Sequence, residues 1–229
     1  LYAQYFGSEY TVTFNTNGGG SVEAQTVKNG NKATEPKTPE KDGFTFADGH
    51  VLIKGSKADL DTIDARNILV RRQTAFDFTA QVRMRIPKLQ PGQNCGMVCY
   101  YDENTFVKYG LFAEEDGVYI GVLEKIGDEV RRSGFEKVQV TAWKNILFRV
   151  ATKGLARKFF YCAQDGTDRE EESAALENVY YLCDEGLKKG KRFTGAMVGM
   201  YAYAGDGAAY RAEFEDFTED LYEITAFRW

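Results

Sequence analysis

The stretch Phe78-Thr-Ala-Gln-Val-Arg-Met-Arg-Ile86 alternates strictly between apolar and polar side chains. Alternation with a period of two is the pattern of a β-strand that has one face in a core and the other in solvent. The apolar face consists of Phe78, Ala80, Val82, Met84 and Ile86, and the polar face of Thr79, Gln81, Arg83 and Arg85. This stretch therefore predicts a long, half-buried strand.

The same alternation recurs between residues 47 and 221. Three further runs show it: Cys95–Cys99, Val118–Val122 and Ile146–Val150. Turn-forming pairs such as Asp116-Gly117 separate the runs. Many strands with regular turns and little helical periodicity predict an all-β fold, namely an antiparallel β-sandwich or jelly roll. One run, Asp168 to Leu176, is rich in Glu and Ala and favours a short helical turn.

Composition excludes several classes of protein. Hydrophobic residues make up 43% of the 229 residues and aromatic residues 14%, which is enough to build a core. The net charge of −5 and the pI near 5.2 argue against binding to phosphate backbones, so no nucleic-acid partner is expected. No apolar run approaches the roughly 18 residues of a membrane span, so no membrane insertion is expected.

The four cysteines lie at positions 95, 99, 162 and 183. On a strand, Cys95 and Cys99 would share a face about 13 Å apart, which is too far for a disulfide. A zinc site would need closer ligand spacing and more histidine than His50 alone. We expect buried free thiols, with metal binding as the alternative.

The segment before residue 47 has a different pattern. Thr11–Phe14 and Gln25–Lys28 predict two strands, and the glycines after Asn17 suit a tight turn. With the run into Asp42-Gly-Phe-Thr-Phe46, this segment resembles the Listeria–Bacteroides repeat, a β-grasp-like module of bacterial surface proteins. The resemblance implies a small β unit beside the large domain.

Both ends of the chain resemble the strand that closes such repeats. Leu1-Tyr-Ala-Gln-Tyr-Phe6 and Ile224-Thr-Ala-Phe-Arg-Trp229 carry this likeness. We therefore expect the large domain to be inserted into a repeat, so that strand 224–229 pairs beside strand 10–14. An unrelated tail at 222–229 is the alternative. The expected units are residues 1–7 as the end of a preceding repeat, residues 8–46 with 222–229 as one repeat, and residues 47–221 as the β-sandwich.

Several motifs occur in order along the large domain. They are Gly49-His-Val-Leu-Ile-Lys-Gly55, Leu69-Val-Arg-Arg-Gln73, Phe76-Asp-Phe-Thr-Ala80, Cys95-Gly-Met-Val-Cys-Tyr-Tyr-Asp-Glu-Asn-Thr-Phe106, Phe193-Thr-Gly-Ala-Met-Val-Gly-Met200 and Ala212-Glu-Phe-Glu-Asp-Phe217. Together they resemble the C-terminal concanavalin-like β-sandwich of family 43 β-xylosidases. The resemblance implies a domain that accompanies a glycosidase without carrying its reaction centre.

Two departures from that family bear on function. The five-bladed catalytic propeller of those enzymes has no counterpart in these residues. In those enzymes, one loop carries an aromatic side chain into the active site of the propeller. The corresponding loop in this chain is Pro87-Lys-Leu-Gln-Pro-Gly-Gln-Asn94, which has no aromatic residue.

The residues for catalysis are also lacking in the sequence pattern. No Ser-His-Asp set is credible with one histidine, and the acidic runs are typical of solvated faces. The chain is therefore not expected to be an enzyme by itself.

Sugar binding is the favoured function, since pyranose C–H groups stack on aromatic faces and hydroxyls need planar polar neighbours. The ligand-binding candidates are Arg71, Tyr101, Asn104, Tyr109, Tyr119, Trp143, Tyr201 and Tyr203. For each tyrosine, packing inside the protein is the alternative. Arg71 and Arg72 point to opposite faces of their strand, so only one of them can line a given site. The other is expected to form a salt bridge.

A structural Ca²⁺ is a further expectation, because sandwich modules of this type often hold one. Asp48 and Asp216, near the first and last strands, are the candidate ligands. The alternative is that no metal is bound, and no other cofactor is required.

The leading hypothesis is a non-catalytic carbohydrate-binding module for xylan-like plant polysaccharide. The alternatives are a structural accessory domain of a family 43 glycosidase and a surface adhesin or spacer. Leu1 is not a start residue, so we interpret the chain as a fragment of a bacterial protein that is secreted or attached to the cell wall. Its expected partners are a polysaccharide or oligosaccharide and other domains of the same polypeptide, and a monomer is expected.

Overall fold

The computed structural model describes residues 9–14, 20–34, 36, 43–47, 50–164, 169–190 and 195–221. The strands in chain order are β1 (Glu9–Val12), β2 (Gln25–Lys28), β3 (Phe44–Ala47), β4 (His50–Lys54), β5 (Ile68–Arg72), β6 (Asp77–Arg85), β7 (Asn94–Asp102), β8 (Thr105–Glu114), β9 (Gly117–Ile126), β10 (Glu129–Val138), β11 (Asn145–Lys153), β12 (Ala156–Gln164), β13 (Glu170–Leu176), β14 (Met197–Tyr203) and β15 (Arg211–Leu221). The described ranges also contain two 3₁₀ turns, Val140–Ala142 and Tyr180–Leu182, and no helix in them is long and apolar enough to cross a membrane.

Two antiparallel sheets face each other in the large domain. The six-stranded sheet has the order β10-β9-β8-β7-β14-β5, and the seven-stranded sheet has the order β13-β12-β11-β6-β15-β4-β3. In both sheets, one face of each strand points toward the other sheet, which is the arrangement of a β-sandwich. The predicted all-β, concanavalin-like fold class is thus confirmed.

The core lies between the two sheets. The inward face of β6 is fully buried and consists of Phe78, Ala80, Val82 and Met84. From the opposite sheet, the ring of Tyr109 lies 5.1 Å from those of Phe148 and Phe159, measured between centroids. Since burying one large apolar side chain contributes about 1.5–3 kcal/mol, a shift of register by one residue would be very costly.

The Asp168–Leu176 run corrects an expectation. Its described part is strand β13 and not a helical turn. β13 pairs antiparallel with β12, with Ala175 opposite Lys158 and Glu172 opposite Phe160. This ladder satisfies the backbone groups along one side of β12, which outweighs the weak helical preference of Glu and Ala.

The two sheets also touch along one side of the sandwich. β10 has a bulge between Ser133 and Glu136, and Gly134 in this bulge has a φ of 60°. A Cβ at Gly134 would lie only 2.3 Å from the carbonyl oxygen of Ser173 on β13. Glycine therefore permits the close approach of β10 and β13, which we call the bulge seam.

The N-terminal segment forms a separate ladder. β1 and β2 pair antiparallel, and β1 begins two positions before the predicted strand at Thr11. β3 pairs with β4 and so belongs to the seven-stranded sheet, which places the expected boundary after residue 46 inside a strand of the sandwich. Residues 1–8 and 222–229 lie outside the described residues, so the insertion of the sandwich into a repeat stays a prediction.

All four cysteines are free thiols. Cys95, Cys99 and Cys162 are buried, whereas Cys183 is half-buried. Burial raises the pKa of Cys95 to about 12, because the thiolate would lose its hydration. The interpretation as buried thiols holds for three of the four cysteines.

Candidate functional site

Three of the expected ligand contacts are corrected by the structure. Tyr101, Tyr109 and Tyr201 are 1%, 0% and 0% exposed, so their rings cannot contact a ligand on the folded surface. Tyr101 and Tyr109 face the core between the sheets, and the hydroxyl of Tyr101 donates to Asp184. Tyr201 points to the outer face of the six-stranded sheet, which another segment covers.

Residues 56–66, which we call the strap, form this cover. Leu60 of the strap is fully buried and packs against Tyr201 and its neighbours. Asp59 of the strap accepts hydrogen bonds of 2.5 and 2.7 Å from Nζ of Lys108. Lys108 is itself buried, and its Nζ lies 5.0 Å from the ring centroids of both Tyr201 and Tyr203. The ring of Tyr201 is therefore covered by the protein's own strap.

The remaining candidates are scattered over the surface. Arg71 pairs with Glu219 at 3.0 Å, Tyr119 donates to Asp116 at 2.9 Å, and Tyr203 borders the strap. Trp143 packs against the core with its ring 6.1 Å from that of Tyr161, and Asn104 lies in the turn between β7 and β8. These residues do not form a common site, so sugar contact at any of them stays a prediction.

Asp216 is engaged by a cationic side chain. Its Oδ2 accepts a 2.5 Å hydrogen bond from Nη1 of Arg83, and Glu215 lies 3.6 Å from the same guanidinium. Arg83 therefore neutralises the carboxylate of Asp216 from one side. The described residues contain no group of three acidic, histidine or cysteine side chains suited to a metal. Asp48 lies outside the described residues, and Ca²⁺ binding stays an untested prediction.

The carboxylates on the outer face of the seven-stranded sheet are also paired. Nδ1 of His50 lies 3.1 Å from Glu213, and Nε2 lies 3.6 Å from Glu215. Arg85 and Arg83 face the same two glutamates from β6 at 3.5 and 3.6 Å. These contacts form a ladder of ion pairs across the outer face of the sheet.

An open cleft of about 530 Å³ lies at one end of the sandwich, and we call it the end cleft. Three loops and two strand ends converge there: the end of β5, the loop into β6, the β11–β12 turn, the 179–185 segment and the approach to β14. The lining side chains that could contact a ligand are Arg72, Gln73, Phe76, Arg157, Asp184 and Glu185. Its size and its mixed lining suit a small saccharide segment.

Phe76 is the exposed aromatic residue of the end cleft. The residue is 79% exposed, although it lies directly before the core strand β6. The backbone beneath it is fixed, because Gly154 N donates to the carbonyl of Phe76 at 3.0 Å and to Asp77 at 2.8 Å. Gln73 N donates to Ala196 O at 2.9 Å. The ring is thus presented to solvent from a rigid loop.

Arg157 is the buried cation of the end cleft, with 4% exposure. Its Nη1 donates to the carbonyls of Gly154 and Ala156 at 2.8 and 3.0 Å, and its Nη2 donates to Gln73 at 3.3 Å. Its positive charge opposes the increase in the pKa of the Cys99 thiol that burial causes. Arg157 therefore holds the turn and the amide of Gln73 in place and puts a positive charge at the cleft.

Sequence reasoning identified only part of this cleft. One of the two adjacent arginines was expected to form a salt bridge, and Arg71 does so with Glu219, whereas Arg72 lines the end cleft. Phe76 was not among the candidates because it lies two positions before Phe78, and strand alternation would point both side chains into the core. The strand begins only at Asp77, so the alternation does not extend to Phe76.

Comparison with known proteins places the fold in a family. Residues 12–219 match the family described as the beta xylosidase C-terminal concanavalin A-like domain. The chain belongs to this family. Within it, the chain is 27% identical over 205 residues to xylosidase/arabinosidase 43B of Humicola insolens, covering 82% of this chain and 37% of that protein.

Two solved structures extend this comparison. The GH43 protein BlXynB of Bacillus licheniformis matches with a TM-score of 0.69 and 27% identity, covering 76% of this chain and 33% of that chain. A functionally unknown protein of Saccharomyces cerevisiae shares the fold with a TM-score of 0.58 at 13% identity, covering 78% of this chain and 91% of that one. This chain therefore spans about a third of the length of the Humicola and Bacillus proteins.

The matched part of those relatives is the C-terminal domain and not the catalytic propeller. In this C-terminal domain, the loop 87–94 and the end cleft lie at opposite ends. Asn94 pairs with Tyr203 at one end of β14, whereas Gly195 and Ala196 of the cleft precede Met197 at the other end. The length of β14 separates the two features by about 20 Å.

Proposed function

We propose that this chain is a non-catalytic carbohydrate-binding module that holds xylan-like plant polysaccharide in the end cleft. The observation that carries the proposal is the ring of Phe76, 79% exposed on a fixed loop beside the planar side chains of Arg72 and Gln73. A sugar ring can stack on the aromatic face while its hydroxyls bind the planar polar groups. The same proposal places the protein outside the cell, secreted or attached to the cell wall, where such polysaccharides occur.

The rigidity of the loop supports this function. Hydrogen bonds from Gly154 and Gln73 already hold the backbone of residues 73–76, so binding would order few additional groups. Family membership agrees with a sugar partner, because a relative is named as a xylosidase/arabinosidase. A second function, an accessory domain beside a glycosidase propeller, is compatible with the same cleft. A catalytic domain that docked at the loop 87–94 would leave the end cleft open.

The test is a titration with xylohexaose followed by NMR or calorimetry. We expect a dissociation constant of about 1 mM or below, corresponding to about −4 kcal/mol. Phe76→Ala should weaken binding about two- to twelvefold, because an aromatic contact contributes roughly 0.5–1.5 kcal/mol. Tyr10→Ala, which removes a ring 57% exposed on the separate β1–β2 ladder, is the matched control and should leave binding unchanged.

Two results would contradict the proposal. One is the absence of any binding to xylan fragments and to a broad glycan array at millimolar concentration. The other is an equal loss of affinity in Phe76→Ala and Tyr10→Ala. The first result would favour the adhesin or spacer function over sugar binding, and the second would show that the end cleft is not the sugar site.

A further inference from the structure

Two adjacent arginines on β5 have different environments. Arg71 pairs with Glu219, whose side chain is only 1% exposed. Arg72 lies in the end cleft with its guanidinium against Gly195, where a Cβ would come within 2.6 Å of Nη1. Gly195 has a φ of 72° and leaves room for this side chain. In the described part of the chain, Arg72 has no carboxylate partner.

Among the described residues, Arg157 is a second guanidinium without a carboxylate partner. Its Nη atoms bind carbonyl oxygens and an amide, and none of its contacts within the described ranges is a carboxylate. Its Nε is buried and has no hydrogen-bond partner among these residues. A buried cation that is not compensated by an anion costs free energy, and a ligand anion would recover part of it.

The acidic residues of the cleft compensate this charge only in part. Asp184 accepts the hydroxyl of Tyr101, so one of its oxygens is engaged by a neutral donor. Glu185 is exposed at the rim, where water and salt screen its charge. The inner part of the cleft therefore favours a negative ligand group over a second positive one.

We propose that the end cleft selects saccharides that carry a carboxylate, that is, a uronic acid unit. This inference rests on the proposed function. Arg72 is the primary donor, since a guanidinium binds a carboxylate through two parallel hydrogen bonds. Arg157 contributes its charge from behind, and Phe76 supports the sugar ring.

The test compares three probes at low and moderate salt: neutral xylohexaose, a xylo-oligosaccharide bearing one glucuronic acid, and an oligogalacturonide. The wild-type protein should bind at least one of the acidic probes about tenfold more tightly than xylohexaose, because charge-assisted hydrogen bonds are stronger than neutral ones. This preference should shrink as salt rises. The two acidic probes distinguish a substituted xylan from a pectin-like source.

Variants of the two adjacent arginines provide the control. Arg72→Gln should abolish the preference for acidic probes, so the affinity for these probes should fall much more than the affinity for xylohexaose. Arg72→Lys should keep only part of the preference, since an ammonium lacks the planar fork. Arg71→Gln should retain the full preference.

The outcomes separate the two proposals. Equal affinity for neutral and acidic probes would overturn the uronate inference and leave the sugar-binding function intact. Loss of the preference in Arg71→Gln as complete as in Arg72→Gln would also overturn it. Failure to bind any of the three probes would instead overturn the proposed function on which it rests.

Discussion

Replacing Asp59 by asparagine is expected to destabilise the fold by about 3 kcal/mol at pH 7, because the substitution leaves a buried ammonium without its counter-charge. The Lys108 side chain is 2% exposed and that of Asp59 is 27% exposed, so the ion pair is largely shielded from water. Breaking a buried pair by removing one partner typically costs about 3–5 kcal/mol. The rings of Tyr201 and Tyr203 still attract the ammonium of Lys108 in the variant, and this attraction favours the lower end of that range.

The two partners should not be equivalent. Lys108→Met leaves Asp59, which can still reach water, and replaces a buried charge by an apolar side chain. Its cost should therefore be clearly smaller than that of Asp59→Asn. The control is Asp206→Asn, which breaks an exposed ion pair between Asp206 and Lys57 of the strap. This change should leave stability unchanged.

The effect should also depend on pH. Burial lowers the pKa of Lys108 below its ordinary value of 10.5, and Asp59 opposes this shift. When the pKa of a base is lowered in the folded state, the fold loses stability as pH falls from 10.5 to the folded pKa and regains it as pH rises back toward 10.5. Without Asp59 the pKa falls further, so the penalty of Asp59→Asn should shrink between pH 7 and pH 9.5.

Urea unfolding followed by circular dichroism measures this cost, and a thermal scan should show a midpoint lower by about 6–12 °C. An unfolding midpoint of Asp59→Asn equal to that of the wild type would refute the reasoning. So would a cost for Lys108→Met as large as that for Asp59→Asn, because the burial asymmetry would then have no effect.

Two further predictions concern thiols and backbone. A thiol reagent at pH 8 should label Cys183 first and Cys95 only after denaturation. The reason is that burial raises the pKa of the Cys95 thiol to about 12. Rapid labelling of Cys95 in the native protein would contradict this prediction. Gly134→Ala should destabilise by about 1–3 kcal/mol in urea unfolding, since it adds a clash with Ser173 to the strain of a positive φ. The control Gly92→Ala, at φ 86° with open space around it, should cost less, and equal costs would show that the bulge seam does not contribute.

The sequence was informative where the relevant interactions are local. Alternation predicted the buried face of β6, since strand geometry alone places Phe78 and Met84 on one side. It could not show that Tyr201 is covered, because both faces of the six-stranded sheet are buried in this region. The inner face packs on the other sheet, and the strap covers the outer one. A period of two separates the faces of a strand but does not show which face water reaches.

The end cleft was harder to predict because its parts are distant in sequence. Arg72, Arg157 and Asp184 meet only after β5, β12 and the 179–185 segment have taken their places in the two sheets. The sequence indicated that Arg71 and Arg72 have different roles, but the position of Glu219 decides that Arg71 is the one that forms the salt bridge. Pairing of β13 with β12 was missed for the same reason, since the ladder depends on a neighbouring strand.

The bulge seam between β10 and β13 protects one flank of the sandwich from pairing with strands of other molecules. Outer strands of open sheets expose unsatisfied backbone groups that can recruit a strand from another molecule. Here Gly134 and Ser173 bring the outermost strands of the two sheets together, so this flank is nearly closed, as in a barrel. Many copies of this chain at high local concentration would therefore resist joining into fibrils along this flank.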